Sequence, residues 1–357
     1  MALTINITDT LRKSVEAASG GRNTVLYTAK GQPCYMAVIP KFTLQSIDAS
    51  LGTGTHPAFI VGGVEKSQLF IGQHIGISRN GEMLSLPGVD PINTITHDAA
   101  VSLVRANGAG WHLMSNVEWA ALSHWCWKNG FQPRGNSQYG RSSDLTTELG
   151  VRSDGLAVTG ANQGSQSRTL TGSGPTSWRH DNTPFGIADL NGNVWEWSPG
   201  MRMNAGEIQI IENNNAALST ADFGVSSAEW KAIDGATGAL VAPGTAGTVK
   251  YANANSGAAD FTLYRASGGS FEGMVNSTGA NPVSAAALQL LKRHGLFPIA
   301  GSGLGGDGFY LDVTGERVPL RGGLWYDAAV TGVFALALYF PRSYSYASIG
   351  ARPAFVS

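Results

Sequence analysis

Four oxygen-bearing side chains fall within eight residues of the segment GIADLNGNVWEWSPG, 186–200: Asp189, Asn191, Asn193 and Glu196. With the backbone carbonyls of Gly192 and Val194 they reach the lower end of the roughly six to eight oxygens that calcium accepts in an irregular loop. The same residues also fit a plainer role. Asn and Asp are turn formers, and Trp195 and Trp197 would then be core anchors beside a Gly-rich turn. The seven histidines, His56, His74, His97, His112, His124, His180 and His294, are scattered, and none pairs at helical spacing next to a carboxylate. No nucleophile elbow, P-loop or H-E-x-x-H pattern occurs. GSGLGGDG, 301–308, lacks the Lys-Ser/Thr of a phosphate loop and reads as flexible chain.

The second constellation is the closing segment RGGLWYDAAVTGVFALALYFPRSYSYASIGARPAFVS, 321–357. Half of it has the character of a frame: Arg321-Gly322-Gly323, Trp325, Gly332 to Leu336, Arg342-Ser343, Ile349-Gly350 and Arg352. Interleaved with it are ten chemically unrelated residues: Leu324, Tyr326, Asp327, Val330, Ala337, Tyr339, Phe340, Tyr344, Tyr346 and Ser348. Four of the ten are tyrosines, which give large, rigid, amphipathic contacts at low entropic cost, as in antibody paratopes. Tyrosines also suit half-buried strands, but YFPRSYSYAS is too broken by Pro and Ser to be a regular strand. Every residue type among the ten is reachable from an Asn AAC codon by replacing its adenines alone. Lys, Glu, Gln, Met and Trp are absent from these positions. The pattern is that of a binding surface whose contacts change while its backbone does not.

The elements that must position these residues are only partly legible. The 357-residue chain is 43% hydrophobic, enough for a packed core, and holds 47 glycines. It is 14% charged, below the usual quarter or so, which points to a loop-rich protein. Its net charge of −1 and lack of a basic block argue against a nucleic-acid surface built on phosphate neutralisation. Cys34 and Cys126, the two cysteines, lack metal spacing and read as buried small hydrophobes in a reducing compartment. The N-terminus lacks the charged-then-apolar pattern of a secretory signal, and no apolar run reaches membrane-spanning length. Synthesis in the cytoplasm, without membrane insertion, is therefore expected.

Residues 1–42 read as a small attachment or oligomerisation arm. It comprises a helix capped by Thr8 or Asp9 and ended by Gly20-Gly21, then two strands about a turn at Lys30-Gly31. Ala58–Val61 and Leu69–Ser78 are the best strands of the next stretch. Thr96 or Asp98 opens a helix over 97–107. Ser115-Asn116-Val117-Glu118 is a capping box for a helix that puts Trp119, Leu122 and Cys126 on one face. Asn281-Pro282 opens a helix that Gly295 ends, and FYLDVTGERVPL reads as a hairpin turning at Thr314-Gly315.

Two resemblances follow from these motifs. TITHDAAVSLVRANGAGWHLMSNVEWAAL and GIADLNGNVWEW resemble segments of formylglycine-generating-enzyme-like proteins, as do Arg321-Gly322-Gly323 and Ile349-Gly350-Ala351-Arg352. The resemblance covers 90–200 and 318–355. It implies an α+β, C-type-lectin-like fold of that enzyme's type, spanning 43–357 with residues 201–317 as an insertion. It also implies structural Ca²⁺ held by the side chains of Asp189 and Glu196 and the carbonyls of Gly192 and Val194. It does not bring the catalysis, because the enzymes carry a cysteine pair shortly after R-G-G and this chain has no cysteine beyond 126.

Residues 321–352 resemble the variable region of proteins diversified by diversity-generating retroelements, RGGxWxxGxxAGVFAxxLxxxRSxSxxxIGFR, with Ala351 where Phe is usual. NTVLYTAKGQPCYMAVIPKF resembles the start of prophage-encoded members. The resemblance implies a non-enzymatic ligand-binding protein, a phage receptor-binding tail tip. Its partners would be a protein or glycan receptor on a target cell and other virion proteins met through the arm, with homo-oligomerisation open. The alternatives are a cellular surface or secreted adhesin of the same fold and, behind it, a formylglycine-generating type of enzyme.

Overall fold

The computed structural model describes residues 7–253, 259–265 and 269–357, with side chains from residue 10 onward. Helix and sheet are mixed, with more strand than helix. The helix caps expected at Thr8 and Asp9 lie outside the described side chains.

One five-stranded sheet runs in the order Asn23–Tyr27, Pro33–Pro40, Gln68–Gly72, Pro353–Phe355 and Trp111–Leu113. Its first two strands form the expected hairpin, with Gly31 at φ 74° in the turn. The hairpin is not a detached arm, however. Residues 36–40 of its second strand pair with Gln68–Gly72, which in turn pairs with the C-terminal strand. A boundary at residue 42 therefore cuts through a sheet. The alternating apolar residues Cys34, Met36, Val38 and their neighbours found their complement in strands distant in sequence, which local pattern does not show.

The second five-stranded sheet carries the closing segment. Its order is Phe309–Leu311, Gly332–Leu338, Leu320–Gly322, Trp195–Trp197 and Ile349–Gly350. The N-V-W-E-W loop and the R-G-G segment are thus hydrogen-bonded neighbours, Leu320 opposite Trp197 and Arg321 opposite Glu196. In Gly332–Leu338 the side chains alternate between two cores. Phe334, Leu336 and Leu338 enter the larger one, and Ala335 and Ala337 face the other with Trp195, Leu320 and Ile349. A third sheet of eight strands lies wholly within 201–317.

The helix Asn116–Lys128 begins with the expected capping box. Ser115 Oγ accepts from the Glu118 amide at 3.2 Å, and Glu118 Oε2 accepts from the Ser115 amide at 2.8 Å. Trp119, Leu122 and Cys126 are buried from it, and Trp119 Nε1 donates to the Val333 carbonyl at 2.7 Å, tying the helix to the closing segment. The helix His97–Arg105 is capped by Thr96.

Other expectations change. Leu69–Ser78 is broken at 73–75 into Gln68–Gly72 and Gly76–Arg79, where the buried Gln73 and His74 turn the chain. Of Ala58–Val61 only Ile60–Val61 is strand. The helix expected to open at Asn281-Pro282 starts later, as Ala285–Arg293 capped by Ser284. FYLDVTGERVPL is not a hairpin. Phe309–Leu311 pairs in parallel with Gly332–Leu338, while Glu316–Arg317 pairs with Met201–Asn204 in the other sheet.

Candidate ligand-binding surface

Two buried arginines peg the ends of the closing segment. Arg321 donates to Asn116 Oδ1 (3.0 and 2.7 Å) and to the Gly295 carbonyl (2.8 Å). It has only neutral acceptors, and burial pulls it down to about 9. Arg352 grips Glu196 with two bonds, 3.0 and 2.7 Å, and adds the carbonyls of Gly72 and Ala188. Between them, Gly332 cannot carry a side chain, because a Cβ there would meet the Asp307 carboxylate at 2.2 Å. That carboxylate is itself buried and accepts from the Phe334 amide at 2.7 Å. The frame residues Trp325, Phe334, Leu336 and Arg352 are all buried.

Nine of the ten interleaved residues line one cavity of ≈310 Å³: all but Val330. Tyr326, Tyr339 and Tyr346 stand at its rim, each close to half exposed, at 46%, 51% and 50%. Asp327, Phe340 and Tyr344 are half-buried. Leu324, Ala337 and Ser348 are buried and make the floor, so these three of the ten do not belong to an exposed binding surface. The reason is the strand: Ala337 and Ser348 project from or beside sheet hydrogen bonds, Ala337 opposite Leu320 and Ser348 accepting from the Trp195 amide. Val330 sits in the turn Ala328–Val330, where its carbonyl accepts from Gly308, away from the cavity.

The aromatic side chains form a continuous wall. Phe340 and Tyr344 stack at 4.2 Å and 9°, Tyr344 continues to Tyr346 at 6.5 Å, and Tyr339 packs edge-on to Phe340 at 5.2 Å. The segment 339–348 is irregular. Its backbone is held by Thr94 donating to the Tyr346 carbonyl and His97 donating to that of Arg342. Arg342 is pinned by Glu316 at 2.7 Å. Three further lining residues escaped sequence reasoning: Trp195, Tyr310 and Ile349. Tyr310 arrives from the strand Phe309–Leu311 and meets Trp195 edge-on at 5.9 Å. Only knowledge of the parallel pairing with Gly332–Leu338 would have found it.

Asp327 is the one carboxylate of the lining. Its Oδ2 accepts from the Leu324 amide at 3.2 Å, and the Trp195 side chain also hydrogen-bonds to it. Burial pushes its carboxyl up to about 6, with those two bonds pulling the other way.

Glu196, one of the two carboxylates expected to hold calcium, is already engaged. Both oxygens of Glu196 are taken by Arg352, which also reaches the carbonyl next to Asp189. A divalent ion here would sit against a buried guanidinium. Asp189 Oδ2 accepts from Gly172, and burial raises its carboxyl. Asn193 bridges Thr169 through both its amide atoms, and Asn191 donates to the Pro133 carbonyl. Gly192, at φ 72°, lies so close to Asn136 that a Cβ would clash, and Val194 packs on Ile75 and Trp325. The Asn and Asp side chains of the loop thus each hold a neighbouring backbone group, with Asp189 Oδ1 and Asn191 Oδ1 left unpartnered, and the cation bound by Glu196 is Arg352. No group of three or more His, Cys, Asp or Glu side chains suited to a metal occurs among the described residues.

Both cysteines are free and buried. Burial raises both thiols, that of Cys34 to about 12. No helix among the described residues is long and apolar enough to cross a membrane.

Comparison with known proteins returned no matching family model and no matching curated protein. Solved structures that are similar include two variable proteins. One is Treponema denticola variable protein 1, at 12% identity and a TM-score of 0.34, covering 93% of this chain and 98% of that one. The other is a Major Tropism Determinant P3c variant, at 12% identity and a TM-score of 0.30, covering 93% of this chain and 71% of that one. Likeness at this distance does not carry the functional case, which rests on the residues and geometry of this chain.

Proposed function

We propose that this chain is a ligand-binding protein of the retroelement-diversified type. A fixed scaffold, C-type-lectin-like on the reading of its motifs, presents a changeable C-terminal face to a receptor. One observation carries the reading: nine residues picked out as chemically free from sequence line a single aromatic cavity, while Trp325, Phe334, Leu336 and Arg352 of the frame between them are buried. A site can change its side chains freely only where they do not fill the core, and the frame here is anchored independently of the face by Arg321, Arg352 and Trp119.

The receptor is a protein or glycan on a target cell, and no enzymatic step is assigned. The reading of the chain as a phage tail-tip protein rests on the resemblance of its N-terminal stretch to prophage-encoded members. The test is binding to an array of glycans and cell-surface ectodomains by the wild type and by a Tyr339→Ala/Tyr346→Ala variant. Features bound by the wild type should weaken by about 2 kcal/mol per central tyrosine removed. Binding that survives both substitutions refutes this face as the site.

A further inference from the structure

The cavity combines three properties that single out a ligand chemistry. Its walls are largely aromatic side chains, those of Tyr339, Phe340, Tyr344 and Tyr346 among them. It has one carboxylate, Asp327, in its lining. And none of the ion pairs among the described residues includes that carboxylate. Arg265, whose guanidinium lies 5.9 Å from the Tyr310 ring centre, is engaged at the side of the cavity through that ring.

A carboxylate half-buried among rings is poorly solvated, and a cation entering the cavity would offset that cost. Aromatic faces carry negative quadrupole potential and favour the same sign of ligand. A primary ammonium suits the site less well. It is compact and strongly hydrated, and its three donors need acceptors, whereas the exposed lining is mostly apolar. A quaternary ammonium has no donors to satisfy. The volume of ≈310 Å³ is at the lower end of ligand cavities, about 300–1,000 Å³, the scale of a head group rather than of an extended chain.

We propose that the cavity binds a trimethylammonium group, ringed by the aromatic side chains with Asp327 as its counter-charge; this rests on the reading of the face as the binding surface. The group could reach the cavity on a choline head group or on a methylated lysine side chain, and the chemistry at the cavity is the same.

The test uses the full chain and calorimetric titration with choline, with Nα-acetyl-trimethyllysine amide, with its unmethylated lysine counterpart, and with 3,3-dimethylbutan-1-ol, the uncharged isostere of choline. At least one trimethylammonium probe should bind saturably. It should bind ten-fold or more tightly than the uncharged isostere and than the unmethylated lysine probe. The stronger of the two cations identifies the source. Asp327→Asn should lower affinity for the cation ten-fold or more and leave the isostere unchanged. The isostere comparison is made on the wild type, so it stands even if the variant folds poorly. Equal binding of choline and its isostere, tighter binding of the unmethylated probe, or no binding of either trimethylammonium probe at millimolar concentration overturns the proposal. If the cations fail but the tyrosine substitutions still abolish array binding, only the ligand class is wrong. If the array signal ignores those tyrosines, the surface itself is wrong.

Discussion

Asp327 is a residue placed where stability alone would not put it. Its folded carboxyl titrates at about 6, against an ordinary value of 3.8. Because the folded value is the higher one, the folded state holds the proton longer than the unfolded state between these two values. Stability associated with this group is therefore present at low pH and is lost as pH rises through about 6. Asp327→Asn removes the ionisation. The variant should melt at a higher temperature than the wild type at pH 7.5, and the gain should shrink to near zero at pH 4. A loss of stability at pH 7.5 would show that the charge is already paired in the protein.

At the scale of elements, the decisive unit is the pairing of Trp195–Trp197 with Leu320–Gly322 and Ile349–Gly350, locked by Glu196 and Arg352. Removing one member of a buried ion pair leaves the other uncompensated, so Arg352→Ala or Glu196→Ala should cost about 3–5 kcal/mol in denaturant unfolding. Added EDTA should leave the melting temperature of the wild type unchanged, since the carboxylate is satisfied by the guanidinium; a fall of several degrees would restore the calcium reading. These elements also mark what the sequence could tell. The capping box at Ser115 and Glu118 and the turn at Gly31 are local patterns, and local chemistry was enough to read them; in 321–352 the same kind of reading missed that the fold buries Leu324, Ala337 and Ser348. The split of Leu69–Ser78, the separate fates of Phe309–Leu311 and Glu316–Arg317, and the place of Tyr310 in the cavity depend on partners far along the chain. The oxygen-rich loop 186–197 shows the limit most clearly. Its composition suits a cation, and only the fold supplies Arg352 as the cation it receives.

Across the whole molecule, buried imidazoles join parts that lie far apart in sequence. Ala58 donates its amide to His56 Nδ1, so His56 Nε2 carries the proton and donates to His124 Nδ1 at 3.3 Å. His294, at the end of the helix Ala285–Arg293, is buried nearby. Burial lowers all three, His124 to about 3 and His294 to about 4, with neighbouring charges adding to the effect. Their folded values lie below the ordinary 6.5. Stability from keeping them neutral is complete above 6.5 and is lost as pH falls towards the folded values, because the unfolded chain takes up the protons first. One such group contributes at most about 1.4 kcal/mol per pH unit. His124→Asn should therefore flatten the fall in stability between pH 6.5 and 4.5 relative to the wild type, whatever its effect at pH 7.5. An unchanged slope would mean that His124 is not held neutral in the fold.

The central claim is that face and frame are separable, and a display library tests it most directly. One pool randomises Tyr326, Asp327, Tyr339, Phe340, Tyr344 and Tyr346; a second randomises Trp325, Phe334, Leu336 and Arg352. Each pool is challenged with protease and the survivors are counted by sequencing. Exposed substitutions typically change stability by less than about 0.5 kcal/mol, whereas buried ones cost several. Most of the first pool should survive and most of the second should be lost. Similar survival of the two pools would contradict the account, because the residues read as a free binding face would then be as necessary to the fold as its core.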